Sequence, residues 1–263
     1  MAYYSWKSYK LNLEAFQAFS ALAHSRYCFF LDTCLGAKDG SGRYSFLGIE
    51  PFFVLRSQGR DPFPKLRDLL GQYRLKLPHQ GIPFLGGAMG YLAYDLGLAL
   101  ESKVRYAGKG QLPIPDYCFG FYNTVVIIDH LKKLLHIFAC GFPEKKSYFA
   151  KILAGENIKK IEKIFQDAVF KHPPRLAPKK TPESSLCFNF RKEDYLRAIE
   201  KAKEYIRQGD IYQVNLSQQA NAFCRLSAPE LYRRLRQASP THFSAYFDCG
   251  DFQILSSSPE RFL

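Results

Sequence analysis

The chain contains no long apolar run and no leader-like start. None of its apolar stretches reaches the roughly 18 residues that a membrane-spanning helix requires. The first residues, Met1-Ala-Tyr-Tyr-Ser-Trp-Lys7, lack the basic and then apolar order of a signal peptide. With 47% hydrophobic and 16% aromatic residues, the 263-residue chain can bury a substantial core. We therefore expect a globular cytoplasmic protein with no membrane partner.

The sequence also lacks the cysteine and histidine spacings of metal and redox sites. Its seven cysteines form no CxxC pair, and none lies beside a histidine at metal-ligand spacing. The six histidines make no helical His-x-x-x-His pair. We predict reduced, mostly buried thiols and assign no metal ligand.

Acidic residues are scarce, 24 against 37 lysines and arginines, which gives a net charge of +13. Much of this charge lies between Lys145 and Lys180, where few aromatic residues are interleaved. That pattern favours a solvated helix and linker over a nucleic-acid groove, so we expect no nucleic-acid partner. A small anionic substrate also suits a basic protein.

Prolines mark one boundary in the chain. Residues 171–182 contain four prolines, which exclude a regular helix or a central strand. We therefore predict a domain over 1–170, a Pro/Lys-rich linker over 171–185 and a second unit over 186–263.

Hydrophobic periodicity predicts elements on both sides of this linker. On the N-terminal side we predict helices near 13–23, 66–73 and 146–168, together with antiparallel strands that include one long buried strand over 118–130. After the linker we predict a helix over 192–208 ended by a left-handed Gly209, a strand over 212–219, a helix over 229–237, and strands over 243–247 and 252–255.

Glycines cluster in Phe84-Leu-Gly-Gly-Ala-Met-Gly-Tyr-Leu-Ala-Tyr-Asp95. The stretch has neither the Gly-x-Gly-x-x-Gly order of a dinucleotide loop nor the Gly-Lys-Ser/Thr ending of a phosphate loop. We predict that Gly86, Gly87 and Gly90 permit close packing, with Tyr91 and Tyr94 in the core.

Two later motifs, with the glycine-rich stretch, resemble a known family. They are Gly209-Asp-Ile-Tyr-Gln-Val-Asn-Leu-Ser-Gln218 and Ile254-Leu-Ser-Ser-Ser-Pro-Glu-Arg-Phe-Leu263. Together they resemble the chorismate-utilising enzymes, most closely component I of aminodeoxychorismate synthase. The resemblance implies an α+β fold of mixed and antiparallel sheets with helices, like that of anthranilate synthase component I. It also implies that this chain stops within the chorismate-binding domain.

The resemblance implies roles for several residues. The Ser258-Pro-Glu-Arg-Phe262 motif makes Glu260 the general acid, because replacing the C4 hydroxyl of chorismate requires a proton on the departing oxygen. The strand over 212–219 is placed in the wall of the chorismate cleft, which makes Gln213, Asn215 and Ser217 substrate-cleft residues. Without the resemblance, Glu260 would be read as a surface ion pair, and the polar face of that strand as exposed to solvent.

A tryptophan-like site is also implied. Phe30-Leu-Asp-Thr33 and Gly42-Arg-Tyr-Ser-Phe-Leu-Gly48 are similar to elements that form the tryptophan site of anthranilate synthases. The resemblance assigns Asp32, Thr33, Arg43 and Phe243 to that site. An ordinary strand end with a solvated Asp32 remains an equal alternative. Phe243-Ser-Ala-Tyr246 follows the aminodeoxychorismate synthase pattern and weakens the case for tryptophan inhibition.

The family enzyme converts chorismate and ammonia to 4-amino-4-deoxychorismate on the route to folate. A glutamine amidotransferase subunit supplies the ammonia, and Mg²⁺ is bound by residues that this chain does not contain. We therefore expect the chain to be inactive alone. Anthranilate synthase component I is the alternative within enzymes, and a non-catalytic remnant that binds tryptophan or the amidotransferase subunit is the alternative from another class.

Overall fold

The computed structural model describes residues 3–36, 42–58, 61–75, 81–101, 103, 112–169 and 186–262. The chain divides into two compact units. Unit 1 consists of residues 1–172 and 228–263, and unit 2 of residues 173–227. The predicted linker over 171–185 lies outside the described residues.

Unit 1 contains most of the helices and strands, and they follow one another along the chain with no repeating pattern among the described residues. Its helices among the described residues are α1 (Ala15–Leu22), α2 (Phe63–Gln72), α3 (Leu96–Leu100), α4 (Ser147–Val169) and, after unit 2, α6 (Ala228–Ala238). Its strands are β1 (Tyr4–Lys10), β2 (Phe29–Asp32), β3 (Tyr44–Gly48), β4 (Phe53–Ser57), β5 (Gly87–Leu92), β6 (Tyr117–Tyr122), β7 (Thr124–Asp129), β8 (Leu134–Cys140), β11 (Phe243–Asp248) and β12 (Gln253–Ser258). Unit 2 contributes α5 (Lys192–Gln208), β9 (Cys187–Phe188) and β10 (Ala220–Asn221).

Seven strands of unit 1 form one antiparallel sheet in the order β1-β8-β7-β3-β2-β11-β12. The register places Tyr246 opposite Phe30, and Phe30 opposite Leu47. A second antiparallel sheet has the order β4-β6-β5. Helices on antiparallel sheets confirm the predicted α+β class.

Aromatic side chains on α1 and the central strands form the core beneath the large sheet. Phe19 on α1 stacks on Phe30 at 5.1 Å between ring centroids and meets Tyr246 at 4.8 Å. Ile158 and Ile161 on α4 join the same buried cluster. Since full burial of one large apolar side chain contributes about 1.5–3 kcal/mol, these contacts anchor α1 and α4 on the sheet.

The predicted strand over 118–130 is wrong as a single element. It breaks at Asn123, so β6 belongs to the small sheet and β7 to the large one. The Asn123 side-chain amide donates to the Phe142 carbonyl at 2.6 Å, and its oxygen accepts from the Thr124 hydroxyl at 2.9 Å. The buried Asn123 side chain therefore forms hydrogen bonds at the point where the chain passes from one sheet to the other. The hydrophobic pattern of the sequence does not reveal this break.

Residues 186–263 are divided between the two compact units. Strand β11 pairs with β2, with Ser244 opposite Asp32, and α6, β11 and β12 all belong to unit 1. Sequence separation hid this pairing, because β2 and β11 lie about 200 residues apart. The boundaries 1–170, 171–185 and 186–263 stay a prediction as family domain limits.

Close packing explains one glycine of the glycine-rich motif. A Cβ on Gly90 would stand 1.9 Å from the Cys118 carbonyl oxygen on the neighbouring strand β6. Tyr91 is half-buried, and its hydroxyl donates to the Pro115 carbonyl at 2.7 Å. Tyr94 is 92% exposed, so its predicted place in the core is wrong. Tyr94 lies two residues after the end of β5 and is not part of the sheet.

Unit 2 contains one long helix and a two-stranded ladder of two residues per strand. Helix α5 ends as predicted, at Gly209 with φ of 82°. Segment 212–219 is irregular, so the strand predicted there is wrong. Alternating polar and apolar residues do not make a strand unless a neighbouring strand accepts its backbone hydrogen bonds.

None of the helices in the described parts of the chain is both long enough and apolar enough to cross a membrane.

Candidate functional site

A buried carboxylate stands at the end of a central strand of the large sheet. The side chain of Asp32, the last residue of β2, is completely buried. Its Oδ2 accepts a hydrogen bond from Nε of Arg236 on α6 at 2.8 Å. The Cys34 thiol and the Tyr232 hydroxyl also donate to it, at 3.2 and 3.5 Å. Residues in two distant parts of the sequence therefore form one buried ion pair that joins α6 to the sheet.

Further polar groups continue from this ion pair. The Thr33 backbone N–H donates to the Ser45 hydroxyl at 3.3 Å, and the Ser45 hydroxyl contacts His130 Nε2 at 2.8 Å. The Thr33 hydroxyl contacts His242 Nδ1 at 3.2 Å. Burial lowers the pKa of His130 below its ordinary value of 6.5, so the neutral imidazole is favoured. We call this set the polar cluster; it consists of Asp32, Thr33, Cys34, Ser45, His130, Tyr232, Arg236, Thr241, His242 and Ser244.

The structure separates the residues predicted for a tryptophan-like site. Asp32 and Thr33 lie together in the polar cluster. The Arg43 guanidinium instead pairs with the carboxylate of Asp129, with Nη2 2.7 Å from Oδ2, and covers the Tyr44 ring. Phe243 begins β11 and is 43% exposed. Arg43 is therefore part of a separate ion pair.

The polar cluster is satisfied by the protein's own groups. A ligand ammonium that reached Asp32 would have to displace the Arg236 guanidinium, which is 20% exposed and packs over the Phe16 ring. The alternative of a solvated Asp32 is wrong, because the side chain is buried. The tryptophan-like role of the four residues stays a prediction.

Arg236 is the residue that the sequence prediction missed. It lies one helical turn after Tyr232 on α6, so both side chains meet the same face of the sheet. The available signal was the Asp at the end of an otherwise apolar strand, because a buried carboxylate requires a cation or several donors. The hydrophobic pattern of the strand indicates that Asp32 needs a cation, but it does not indicate which of the many arginines supplies it.

The motif with the predicted general acid follows an edge strand. Glu260 lies two residues after the end of β12, and β12 pairs with β11 on one side only within the described sheet. The Ser258 hydroxyl donates to the Glu260 carbonyl at 2.9 Å, and the Glu260 backbone N–H donates to that hydroxyl at 3.3 Å. Glu260 is exposed, and no described side chain forms a salt bridge with its carboxylate. The surface ion pair expected without the resemblance is not seen among the described contacts, and the role of Glu260 as general acid stays a prediction.

The three predicted substrate-cleft residues belong to unit 2. Gln213, Asn215 and Ser217 are all exposed and lie in the irregular segment 212–219. The Tyr195 hydroxyl of α5 donates to the Leu216 carbonyl at 3.2 Å, which holds this segment beside the helix. Their assignment to a substrate cleft stays a prediction.

Near the glycine-rich motif, unit 1 contains a cleft of about 330 Å³ that is open to solvent. Aromatic side chains and the backbone of two glycines line it, namely Phe52, Tyr73, Gly86, Gly87, Phe121 and Phe142. The titratable side chains in its described lining are those of Tyr73, Tyr122 and Cys140, and burial raises the pKa of the Cys140 thiol to about 11. The described lining therefore combines aromatic rings with exposed backbone polar groups.

The described residues contain no group of three His, Cys, Asp or Glu side chains that could hold a metal ion. The resemblance likewise places the magnesium ligands outside this chain. The assignment of no metal ligand to this chain stays a prediction.

The Ser258-Pro-Glu-Arg-Phe262 motif at the end of β12 resembles that of the chorismate-utilising enzymes, and comparison with known families agrees. The family model of chorismate binding enzymes matches residues 28–263, so the chain belongs to that family.

Two curated relatives with different names resemble the chain. Anthranilate synthase component 1 of Acetivibrio thermocellus is 31% identical over 92% of this chain and 52% of the relative. Aminodeoxychorismate synthase component 1 of Bacillus subtilis (strain 168) is 25% identical over 93% of this chain and 53% of the relative. The chain thus spans about half the length of these relatives. Of the two, the anthranilate synthase has the higher identity, but the match of both names leaves the particular member of the family unresolved.

A solved structure supports the fold. Anthranilate synthase component I from Streptococcus pneumoniae TIGR4 matches with a TM-score of 0.66 and 24% identity, over 83% of this chain and 50% of that one. The predicted likeness to the fold of anthranilate synthase component I is confirmed.

Proposed function

We propose that the chain supplies the first part of an aminodeoxychorismate synthase component I, which replaces the C4 hydroxyl of chorismate with ammonia to give 4-amino-4-deoxychorismate. The same proposal includes a glutamine amidotransferase subunit as the source of ammonia. Anthranilate synthase component I, which aminates the same substrate, is the second candidate.

The observation that carries the proposal is the position of Glu260. Its backbone is fixed by the Ser258 hydroxyl at the end of an edge strand, while its carboxylate is exposed and unpaired among the described side chains. The proposed step needs this carboxyl group in its protonated form, and no structural ion pair in the described chain holds it as a carboxylate. A positioned general acid contributes about 10²- to 10⁴-fold in rate.

Two sequence patterns and one contact favour the 4-amino product over anthranilate. Tyr212-Gln-Val-Asn-Leu216 and Phe243-Ser-Ala-Tyr246 both follow the aminodeoxychorismate synthase pattern. In addition, Arg236 already occupies the carboxylate of Asp32, which the feedback site of an anthranilate synthase would need for the ligand ammonium. This contact supports a protein without tryptophan inhibition.

Magnesium enters the proposal only as the family's cofactor. When bound, it would neutralise the carboxylate charge of chorismate. The roles proposed for this chain are the proton at Glu260 and contacts from Gln213, Asn215 and Ser217.

The test is the identity of the product. The chain is mixed with the half of Bacillus subtilis aminodeoxychorismate synthase component 1 that it does not match, here called the complementing half, together with chorismate, ammonium and magnesium. The relative's own two halves serve as the positive control. Mass spectrometry should detect 4-amino-4-deoxychorismate, which retains the enolpyruvyl group. Anthranilate with released pyruvate would favour the second candidate, and no product beside an active control would contradict both.

A further inference from the structure

Two of the buried cysteines lie where the small sheet of unit 1 meets the large one. Cys118 is on β6 of the small sheet, and Cys249 is in the turn between β11 and β12 of the large sheet. Both side chains are completely buried and belong to one hydrophobic cluster. All seven cysteines of the chain are free thiols. A single buried cysteine acts as a small apolar side chain, but two in contact can also form a covalent bond.

The two thiols of this pair contact each other. The Cys249 thiol donates a hydrogen bond to the Cys118 sulfur. Hydrogen-bonded sulfurs are close enough that side-chain rotation brings them toward the S–S bond length of about 2.05 Å. The backbone on each side is held by strand pairing, because β6 pairs with β4 and β5 while β11 pairs with β12. The fold therefore keeps the two sulfurs together.

A cation lies beside the pair. Arg56 on β4 is opposite Cys118 in the strand register. Its Nη1 donates to the Cys249 carbonyl at 3.3 Å and to Oδ1 of Asp251 at 2.9 Å. The hydrogen bond from Cys249 and the charge of Arg56 outweigh burial and lower the pKa of the Cys118 thiol below its ordinary value of 9.0. Cys118 is therefore the more nucleophilic sulfur of the two.

The turn that contains Cys249 lies at the protein surface. Gly250 and Asp251 are exposed, and the ion pair between Arg56 and Asp251 connects the turn to β4. Partly exposed ion pairs of this kind are weak, so the turn can open locally while both sheets stay folded. Such an opening gives a small oxidant access to the two sulfurs.

We infer that Cys118 and Cys249 form a reversible modification site, at which hydrogen peroxide converts the two thiols to a disulfide. The Cys118 sulfur attacks the peroxide and takes one hydroxyl as a sulfenic acid, while the other hydroxyl leaves as water with the thiol proton. The Cys249 sulfur then attacks the Cys118 sulfur, and the sulfenic hydroxyl leaves as a second water with the Cys249 proton. The two thiols lose two electrons and two protons, which the peroxide gains.

The disulfide joins the small sheet to the turn that leads into β12. It closes a loop of about 130 residues, and a bond that closes a long loop restricts the unfolded chain strongly. The oxidised protein should therefore unfold at a urea concentration about 1–2 M higher than the reduced protein. This inference does not depend on the proposed function, because the bond forms within the chain itself.

The experiment treats the full chain with hydrogen peroxide, blocks the remaining thiols with N-ethylmaleimide and maps disulfides by mass spectrometry of non-reduced peptides. We expect a linkage between Cys118 and Cys249 that dithiothreitol removes, together with the urea shift followed by Trp6 fluorescence. Cys249→Ser should abolish both. Cys187→Ser combined with Cys224→Ser is the matched control, because it removes two exposed thiols and should keep both results.

Every other outcome counts against the inference. Oxidation confined to Cys187 and Cys224, or a linkage between other cysteines, would overturn it. A bond between Cys118 and Cys249 that appears only in urea would show that the folded chain does not form it. A bond without a urea shift would contradict the joining of the two sheets. The peptide map of the unaltered chain is decisive even if Cys249→Ser does not fold.

Discussion

The buried ion pair of the polar cluster can be tested by replacing its cation. In Arg236→Met the aliphatic stem is largely kept and the guanidinium is lost. The Asp32 carboxylate, whose side chain is completely buried, then keeps weaker donors: the Cys34 thiol at 3.2 Å, the Tyr232 hydroxyl at 3.5 Å and the Ser45 hydroxyl at 3.5 Å. We expect a large loss of stability, because a charge is left buried without its partner.

The magnitude follows from two contributions. Removing one partner of a buried ion pair costs about 3–5 kcal/mol, and the remaining donors place this case near the lower end. Loss of the guanidinium over the Phe16 ring, 5.3 Å from its centroid, adds about 0.5–1 kcal/mol. We therefore expect Arg236→Met to lower the free energy of unfolding by about 3–4 kcal/mol, a large share of the 5–15 kcal/mol typical of a domain.

Urea unfolding followed by fluorescence is a suitable assay, because Trp6 is the only tryptophan and lies in β1 of the large sheet. Lys160→Met is the control, since it removes an ion pair with Glu50 in which both side chains are about half exposed, and should cost at most about 1 kcal/mol. Adding Asp32→Asn to Arg236→Met should restore part of the loss by removing the unpaired charge. Equal costs for Arg236→Met and Lys160→Met would refute the reasoning.

Three further predictions concern packing, thiols and pH. Gly90→Ala should lower the free energy of unfolding by about 1–3 kcal/mol, because the added methyl group meets the backbone of β6. Gly71→Ala, which has open space around it on α2, should instead raise that free energy by about 0.5–1 kcal/mol. Urea titration checks both variants, and equal effects would contradict the close packing at Gly90. Brief iodoacetamide treatment should label Cys187 and Cys224, the exposed thiols, ahead of the other five, as peptide mass spectrometry would show; early labelling of a buried thiol would contradict the fold. Burial lowers the pKa of His130 in the folded state, so its contribution to the free energy of unfolding should be complete above pH about 6.5 and be lost as the pH falls through the lower folded pKa. His130→Asn should reduce this loss in urea titrations at successive pH values. An unchanged dependence of the free energy of unfolding on pH in this variant would contradict the prediction.

Local patterning predicted most of the helices and the fold class. The periodicity of α5 and the left-handed Gly209 were readable because they depend on residues close in sequence. The break at Asn123 was not readable, because it depends on a hydrogen bond to Phe142 and on two sheets with different partners. The strand predicted over 212–219 failed for the opposite reason: its pattern is correct for a strand, but no described neighbour pairs with it.

The candidate sites show the same limit. The sequence singled out Asp32 and Thr33, but the partner of Asp32 is Arg236, about 200 residues away, and only the pairing of β2 with β11 brings α6 near it. Arg43, close to Asp32 in sequence, points to Asp129 instead. The pairing of strands that are distant in sequence therefore determines which charged side chains form ion pairs. That pairing cannot be read from a single sequence.

The most direct measurement of the central proposal is the rate of chorismate amination by the chain with the complementing half, compared between the unaltered chain and Glu260→Gln. The proposal predicts that Glu260→Gln lowers kcat by about 10²- to 10⁴-fold while the halves still associate, because the amide cannot donate the proton. Glu144→Gln, which makes the same change at another exposed position, should leave kcat unchanged. A Glu260→Gln protein that retains most of its rate would contradict the role of this residue and, with it, the account of the chain as the acid-supplying part of a chorismate-aminating enzyme.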